Sequence, residues 1–164
     1  MTTRRFLIDG YNLLHLIREF AEPQGLSLEI RRERLLKRLS ELTAGKSLYL
    51  QVVFDGPQTV LERNRIPGVQ VVFASPSADH YIRRAIDRRA RNENLVIVTS
   101  DRKDIGEYAR INGIEWMTSQ QFWKRLNESS KRRKTGAEAV QDSAPPGWTE
   151  KDDEMLRRAF EGED

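Results

Sequence analysis

Short apolar runs alternate along this chain with longer amphipathic segments, and the alternation constrains the fold more than any other feature. Five runs rich in β-branched and aromatic residues are predicted strands: Phe6–Ile8, Leu48–Phe54, Val69–Ala74, Leu95–Thr99 and Ile114–Met117. Several are apolar at nearly every position, which is typical of strands covered on both faces. The intervening segments have helical spacing and capping residues such as Ser77 and Ser119. The order predicts an α/β fold, a three-layer sandwich around a mainly parallel sheet of about five strands.

Composition limits the chemistry that the chain can support. Cysteine is absent, which excludes disulfides, thiolate zinc sites and cysteine nucleophiles. A metal would have to be held by oxygen atoms or by the two histidines. The first apolar stretch, Phe6–Ile8, is too short for a signal peptide or a membrane span, so we expect a cytoplasmic protein with no membrane contact.

Charge is divided unevenly along the chain. Residues 1–128 contain 21 Lys and Arg against 16 Asp and Glu, whereas residues 129–164 contain 7 against 9. A modest basic excess suits a polyanionic partner, although it is common in proteins that bind no nucleic acid.

Aspartates follow the predicted strands at the edge where an open parallel sheet binds its ligands. Asp9, Asp55 and Asp101 each end a strand, and Asp79 starts the helix after the third strand. A single aspartate at such a place is commonly a helix cap, but several gathered at one edge repel one another unless a cation neutralises them. Oxygen ligands favour Mg²⁺ or Mn²⁺, and the chemistry that suits the arrangement is phosphodiester hydrolysis by a metal-activated water.

Four blocks at these positions resemble the NYN domains of the PIN-like nuclease superfamily, and among them the YacP-like bacterial proteins. The blocks are Leu7–Asn12, Val52–Gly56, Ala78–Ile82 and Val98–Asp101, within a match over about residues 4–128. The resemblance implies a strand order near 3-2-1-4-5, catalysis with a divalent metal, and RNA as the substrate. It therefore predicts a metal-dependent endoribonuclease that hydrolyses single-stranded RNA.

The same resemblance assigns residues to the site. Carried over position by position, the metal-binding and catalytic carboxylates would be Asp9, Asp79 and Asp101. Asn12 would be a catalytic residue that orients one of them or the phosphate, and Asp55 and Asp104 are further candidate ligands. The chain departs from the family pattern at His80, where many relatives have an acidic residue, and near Arg83, where another is absent. His80 is either a ligand or phosphate contact, or a solvated side chain.

Basic and aromatic residues near the acidic blocks are candidate RNA contacts. They are Tyr11, Tyr81, Arg83, Arg84, Arg88, Arg102 and Lys103. Arg89 and Arg91 are predicted to continue the same arginine-rich helix, with Arg63 and Arg65 in a loop. The arginines would bind phosphates and the tyrosines would stack on bases. Equally, the arginines could form a solvated face and the rings could pack against the edge of the core.

Other phosphate chemistries lack their motifs. A haloacid dehalogenase-like phosphotransferase needs Asp-x-Asp after its first strand, whereas this chain has Asp9 followed by Gly10 and Tyr11. A nucleotide-binding loop needs several glycines, but Gly10 and Gly56 stand singly. The alternative of another class is a catalytically weak PIN-like domain that acts as an RNA-binding or protein-interaction adaptor.

The composition changes after Glu128. We predict a nuclease domain over residues 1–128, a flexible linker over 129–147 and an acidic amphipathic tail segment over 148–164. One helical face of the tail would carry Trp148, Met155, Leu156 and Phe160. It would dock on its own domain, on a second copy in a homodimer, or on a partner protein, and the alternative is a disordered tail.

Overall fold

A computed structural model of the chain describes residues 3–17, 25–57, 66–135, 151 and 154–155, without the side chains of residues 133–135. Within these residues the strands are β1 (Arg4–Asp9), β2 (Leu48–Asp55), β3 (Val69–Ala74), β4 (Leu95–Val98) and β5 (Glu115–Met117). The helices are α1 (Gly10–Leu16), α2 (Leu28–Thr43), α3 (Ala78–Asp87), α4 (Glu107–Ile111) and α5 (Ser119–Thr135), and a π-helical turn spans Arg102–Gly106.

The five strands form one parallel sheet in the order β3-β2-β1-β4-β5, which confirms the predicted fold class and strand order. Strand β1 lies at the centre, where Ile8 is in register with Val52 of β2 and Val98 of β4. Chain direction therefore brings the carboxyl ends of β1, β2 and β4 to one edge. This is the edge at which Asp9, Asp55 and Asp101 leave the sheet.

Two apolar cores cover the two faces of the sheet. Phe6 and Ile8 belong to the core that includes residues of α1, α2 and α5, whereas Leu7 between them belongs to the core formed with α3 and α4. All three side chains are fully buried. Because successive residues of a strand point to opposite faces, burial on both sides requires apolar residues at every position, as the sequence of β1 has.

Two glycines permit close packing beside the acidic edge. A Cβ atom on Gly10, the first residue of α1, would overlap the ring of Phe54. A Cβ on Gly106, the last residue of the π-helical turn, would lie 2.9 Å from ring atoms of Trp116. The first turn of α1 and the π-helical turn can therefore approach the sheet closely enough to bring their aspartates together.

Two helices differ in length from the prediction. Helix α3 ends at Asp87 with Arg88 as its C-cap, so Arg89 and Arg91 do not extend it as predicted. The backbone N–H of Arg88 bonds to carbonyl groups of the last turn, which closes the helix before the Asn-containing segment that follows. Helix α5 instead continues to Thr135, seven residues into the predicted linker, because serine, lysine and arginine are compatible with a helix and basic residues suit its C-terminal end.

The C-terminal segment contributes a residue to the main core. Met155 is helical and 4% exposed, and it belongs to the core of α1, α2 and α5. Trp148, Leu156 and Phe160, together with linker residues 136–147, lie outside the described residues. Contact with the chain's own core is one of the three docking modes considered from the sequence, and association through this segment stays a prediction. None of the described helices is long and apolar enough to cross a membrane.

Candidate metal centre

Three aspartates converge beyond the carboxyl ends of β1 and β4. Each of Asp79, Asp101 and Asp104 offers a carboxylate oxygen, and these oxygens all lie within 4.8 Å of one another. Asp79 stands in the first turn of α3, where Ser77 caps the helix by accepting a hydrogen bond from the backbone N–H of His80 (3.1 Å). Asp101 and Asp104 come from the π-helical turn after β4.

The π-helical turn holds its two aspartates in a fixed relation. Asp101 caps the turn, because its Oδ1 accepts a hydrogen bond from the backbone N–H of Asp104 at 2.9 Å. The backbone N–H of Asp101 in turn donates to Oγ1 of Thr99 at 3.1 Å, and Thr99 is fully buried. Thr99, the residue that follows β4, therefore anchors the loop that supplies two of the three clustered carboxylates. Single π-helical turns are frequent at functional sites.

Asp9 lies beside this cluster but in a different environment. It is 7% exposed, and its carboxylate accepts hydrogen bonds from Asn12, from the backbone N–H at 3.3 Å and from Nδ2 at 2.5 Å. The same Nδ2 lies 3.4 Å from Oγ1 of Thr99. Burial is the largest cause that raises the pKa of Asp9, from an ordinary value of 3.8 to about 6; the hydrogen bond from the Asn12 backbone lowers it, and the charges of Asp79 and Asp55 raise it.

Asp55 forms a hydrogen bond with the N-terminal end of α3. Its Oδ1 accepts a hydrogen bond from the backbone N–H of Ala78, the first residue of that helix. A carboxylate at a helix N-terminus satisfies an otherwise unpaired N–H and complements the helix dipole. Asp55 is thus an electrostatic neighbour of Asp9 and Asp79 whose oxygen already has a structural partner.

The negative charges of neighbouring aspartates affect the pKa of Asp79. Partial burial is the largest cause that raises the pKa of this carboxyl, followed by the negative charges of Asp101 and Asp55, while the guanidinium of Arg83 lowers it. A divalent cation would relieve the same repulsion.

Arg83 is a cation in direct contact with the acidic cluster. Its guanidinium forms an ion pair with Asp104 and lies over the ring of Tyr108, 4.6 Å from the ring centroid. The Tyr108 hydroxyl in turn donates to Asp87 at 2.5 Å. Arg83 was predicted to contact RNA, and in the structure it pairs with Asp104, a candidate metal ligand.

The cluster fits a hard divalent cation. Two oxygens bound to one cation at roughly 2.0–2.6 Å can be at most about 5 Å apart, a limit that the 4.8 Å separation of the cluster meets. All three donors are carboxylate oxygens, which Mg²⁺ and Mn²⁺ prefer. Of the ligands inferred by resemblance, Asp79, Asp101 and the further candidate Asp104 belong to this set, whereas Asp9 lies beside it.

The predicted stacking residue Tyr11 is engaged in packing. Its ring lies edge-on to Phe54 and stacks on His15, with centroids 5.1 and 5.9 Å away. Its hydroxyl accepts a hydrogen bond from Nη1 of Arg32 at 2.6 Å. Arg32 is buried and lies over the rings of Tyr11, Phe54 and Phe73. The sequence analysis missed Arg32, although its spacing from Leu35, Leu36 and Leu39 places it on the apolar stripe of α2.

The other predicted RNA contacts fall into two places. Arg102 and Lys103 are exposed on the π-helical turn, between Asp101 and Asp104 in sequence. Tyr81, Arg84 and Arg88 instead line a separate cavity beside α3. The Tyr81 ring packs against the core of α3 and α4, and its hydroxyl accepts a hydrogen bond from Nε2 of Gln51 at 3.1 Å. Arg63 and Arg65 lie outside the described residues.

Comparison with solved structures supports the same architecture. The chain is similar to the crystal structure of Rae1 (YacP) from Bacillus subtilis, with 22% identity and a TM-score of 0.64 over 78% of this chain and 75% of that one. It is also similar to a crystal structure of a tryptophan-to-leucine mutant of Rae1, with 18% identity and a TM-score of 0.61 over 96% of this chain and 92% of that one.

Sequence comparison extends the relationship beyond the fold. No curated protein matches the chain. The family model of the YacP-like NYN domain matches residues 6–161, which includes the acidic cluster and reaches past Met155. The chain therefore belongs to the YacP-like NYN domain family.

Proposed function

We propose that the protein is a divalent-metal-dependent endoribonuclease that hydrolyses single-stranded RNA in the cytoplasm, with Mg²⁺ or Mn²⁺ as its cofactor. The observation that carries the proposal is the convergence of Asp79, Asp101 and Asp104 within 4.8 Å, at the edge of the sheet where parallel α/β folds bind ligands. Membership of the YacP-like NYN family supports a nuclease, and RNA is the substrate that the family resemblance implies.

The aspartates have distinct proposed roles. Asp79, Asp101 and Asp104 would supply oxygen ligands to the metal, and Asp9, whose charge interacts with that of Asp79, would be a fourth ligand. The bound metal would polarise the phosphate and activate a water. Asn12 holds the Asp9 carboxylate in one orientation, while Thr99 positions Asp101 through its backbone. Arg102 and Lys103, exposed beside the cluster, would contact phosphates of the RNA.

Incubation of the purified protein with labelled single-stranded RNA tests this proposal. Cleavage is expected with added Mn²⁺ or Mg²⁺ and is expected to stop with EDTA, because the three clustered carboxylates and Asp9 beside them would repel an anionic phosphate unless a cation neutralised them. A circular RNA without ends separates endonucleolytic from exonucleolytic cleavage. Absence of metal-stimulated cleavage of either RNA would contradict the proposed activity.

One contact favours the alternative of a catalytically weak adaptor. The ion pair between Arg83 and Asp104 engages a carboxylate that the metal would need. In an adaptor the pair would persist and divalent cations would bind weakly, whereas in a nuclease Asp104 has to exchange the guanidinium for the metal.

Replacement of Arg83 tests how this competition affects metal binding. Arg83→Gln is expected to tighten Mn²⁺ binding severalfold, because a partly exposed ion pair contributes about 0.2–1 kcal/mol that metal binding would otherwise have to overcome. Isothermal titration calorimetry with Mn²⁺ measures the change. Arg110→Gln, which removes an exposed arginine paired with Glu107 on α4, is the matched control and is expected to leave the affinity unchanged. Weaker Mn²⁺ binding by Arg83→Gln alone would show that Arg83 supports the metal site instead.

A further inference from the structure

A second site lies beside α3, separate from the acidic cluster. It is a cavity of about 300 Å³ lined by His80, Tyr81, Arg84 and Arg88 of the helix and its C-cap, and by Arg5 and Glu93 from the sheet side. Asp79, Arg83 and Asp87 lie on another face of the same helix, because residues four apart share a face and residues one apart do not. The cavity thus adjoins the helix that supplies Asp79 but opens on a different side.

Three basic residues form a column along this cavity. His80, Arg84 and Arg88 are spaced at i, i+4 and i+8, so each lies about 6 Å beyond the last along the helix axis. Within the described part of the chain, none of these three side chains has a hydrogen-bond or ion-pair partner. Arg84 and Arg88, which are four residues apart, repel each other, which costs a few tenths of a kcal/mol.

Several cations on the described helices have acidic partners. On α2, Lys37 pairs with Glu33 four residues away, and on α5, Lys124 pairs with Glu128. On α3 itself, Arg83 pairs with Asp104. Among the described residues the basic column has no such partner, and it lines a cavity.

Among the described residues, one carboxylate lines the cavity, and it is already neutralised. Glu93 accepts a hydrogen bond from Nη1 of Arg5 at 2.5 Å, and Nη2 of the same guanidinium donates to Oε1 of Gln51 at 2.5 Å. Gln51 also donates to the hydroxyl of Tyr81. The cavity therefore has an excess of positive charge. The hydrogen bonds that join Glu93, Arg5, Gln51 and Tyr81 hold one of its walls in place.

We propose that this cavity is a subsite for backbone phosphates of single-stranded RNA, outside the bond that is cut. The inference rests on the proposed ribonuclease function and assigns the path that the substrate takes. Helix α3 carries Asp79 in its first turn and the basic column over the next about 12 Å, so a strand leaving the acidic cluster along α3 meets His80, then Arg84, then Arg88. Arginine binds phosphate through paired N–H groups, and basic grooves hold single strands in this way.

The salt dependence of RNA binding tests the subsite. Binding of a fluorescein-labelled single-stranded RNA is measured by anisotropy at several salt concentrations, with an Asp101→Asn background that keeps the RNA intact. Arg84→Gln/Arg88→Gln is expected to reduce the slope of log K against log salt by about 1.4, since each phosphate contact on a single strand contributes about 0.7. Glutamine keeps most of the side-chain volume, and circular dichroism verifies the fold.

A control of equal charge isolates the position of the arginines. Arg34→Gln/Arg38→Gln removes exposed Arg34 and partly exposed Arg38 from α2, on the opposite face of the sheet, and is expected to leave the slope close to that of the parent. Equal slopes for the two double variants would overturn the subsite, as would a slope for Arg84→Gln/Arg88→Gln that matches the parent. The outcome is independent of catalysis: if the wild-type protein cleaves no RNA, the proposed function fails, whereas the slope alone decides the subsite.

Discussion

Asp101→Asn is expected to reduce metal-dependent RNA cleavage by more than roughly 100-fold while the protein stays folded. Loss of a residue that merely orients a metal ligand typically costs 10–100-fold in activity or metal affinity, so loss of a ligand itself should cost more. The fold should survive because asparagine retains the Oδ1 atom that accepts the hydrogen bond from the backbone N–H of Asp104. Initial rates of cleavage at saturating Mn²⁺ provide the measurement.

Glu41→Gln is the control for Asp101→Asn, because it removes one exposed carboxylate from α2 on the far side of the sheet. This variant should cleave RNA at the wild-type rate. Wild-type activity of Asp101→Asn would exclude the proposed metal centre, and equal losses in both variants would trace the effect to net charge.

Asp9→Asn is expected to stabilise the metal-free protein above about pH 6. Burial raises the pKa of Asp9 from 3.8 to about 6, so the folded protein favours the protonated carboxyl. The penalty is absent below about pH 4, grows as the pH rises towards 6 and is complete above it, the reverse of an aspartate in an ordinary ion pair. The shift sets an upper limit of about 3 kcal/mol, and the gain will be smaller because the asparagine forms weaker hydrogen bonds with Asn12.

Urea denaturation of both proteins in EDTA at about pH 4 and about pH 7 measures this difference. The two should have similar free energies of unfolding at the lower pH and should diverge at the higher one. Added Mn²⁺ should stabilise the wild-type protein more than Asp9→Asn, because a cation that binds the folded state adds to its stability. A variant that is less stable than wild type at both pH values would show that the Asp9 carboxylate stabilises the fold.

The parts of the fold that depend on hydrophobic pattern could be predicted from the sequence. Val52, Val53 and Phe54 are apolar in succession because β2 is buried on both faces, and this pattern indicated a covered parallel sheet. Strand ends were less certain: β4 ends at Val98 and not at Thr99. The strand order followed from the family resemblance and was confirmed.

Side-chain partnerships in the site could not be predicted in the same way. Asp104 and Arg83 are 21 residues apart, and their ion pair depends on how the π-helical turn packs beside α3. The π-helical turn leaves no periodic signal in five residues, so the sequence placed Asp104 among the uncertain ligands. Asp9 was predicted as a ligand because it ends β1, and the structure adds that it caps α1 and is more buried than the clustered aspartates.

The burial of Met155 affects the order in which the parts of the core assemble during folding. Among the described residues, the other members of its core end at Leu126, so this face of the sheet can collapse before residue 155 joins it. Contacts between residues so distant in sequence form slowly, because closing the loop costs chain entropy before burial offsets it. Until Met155 joins this core, the side chains that it covers in the folded protein stay open to solvent.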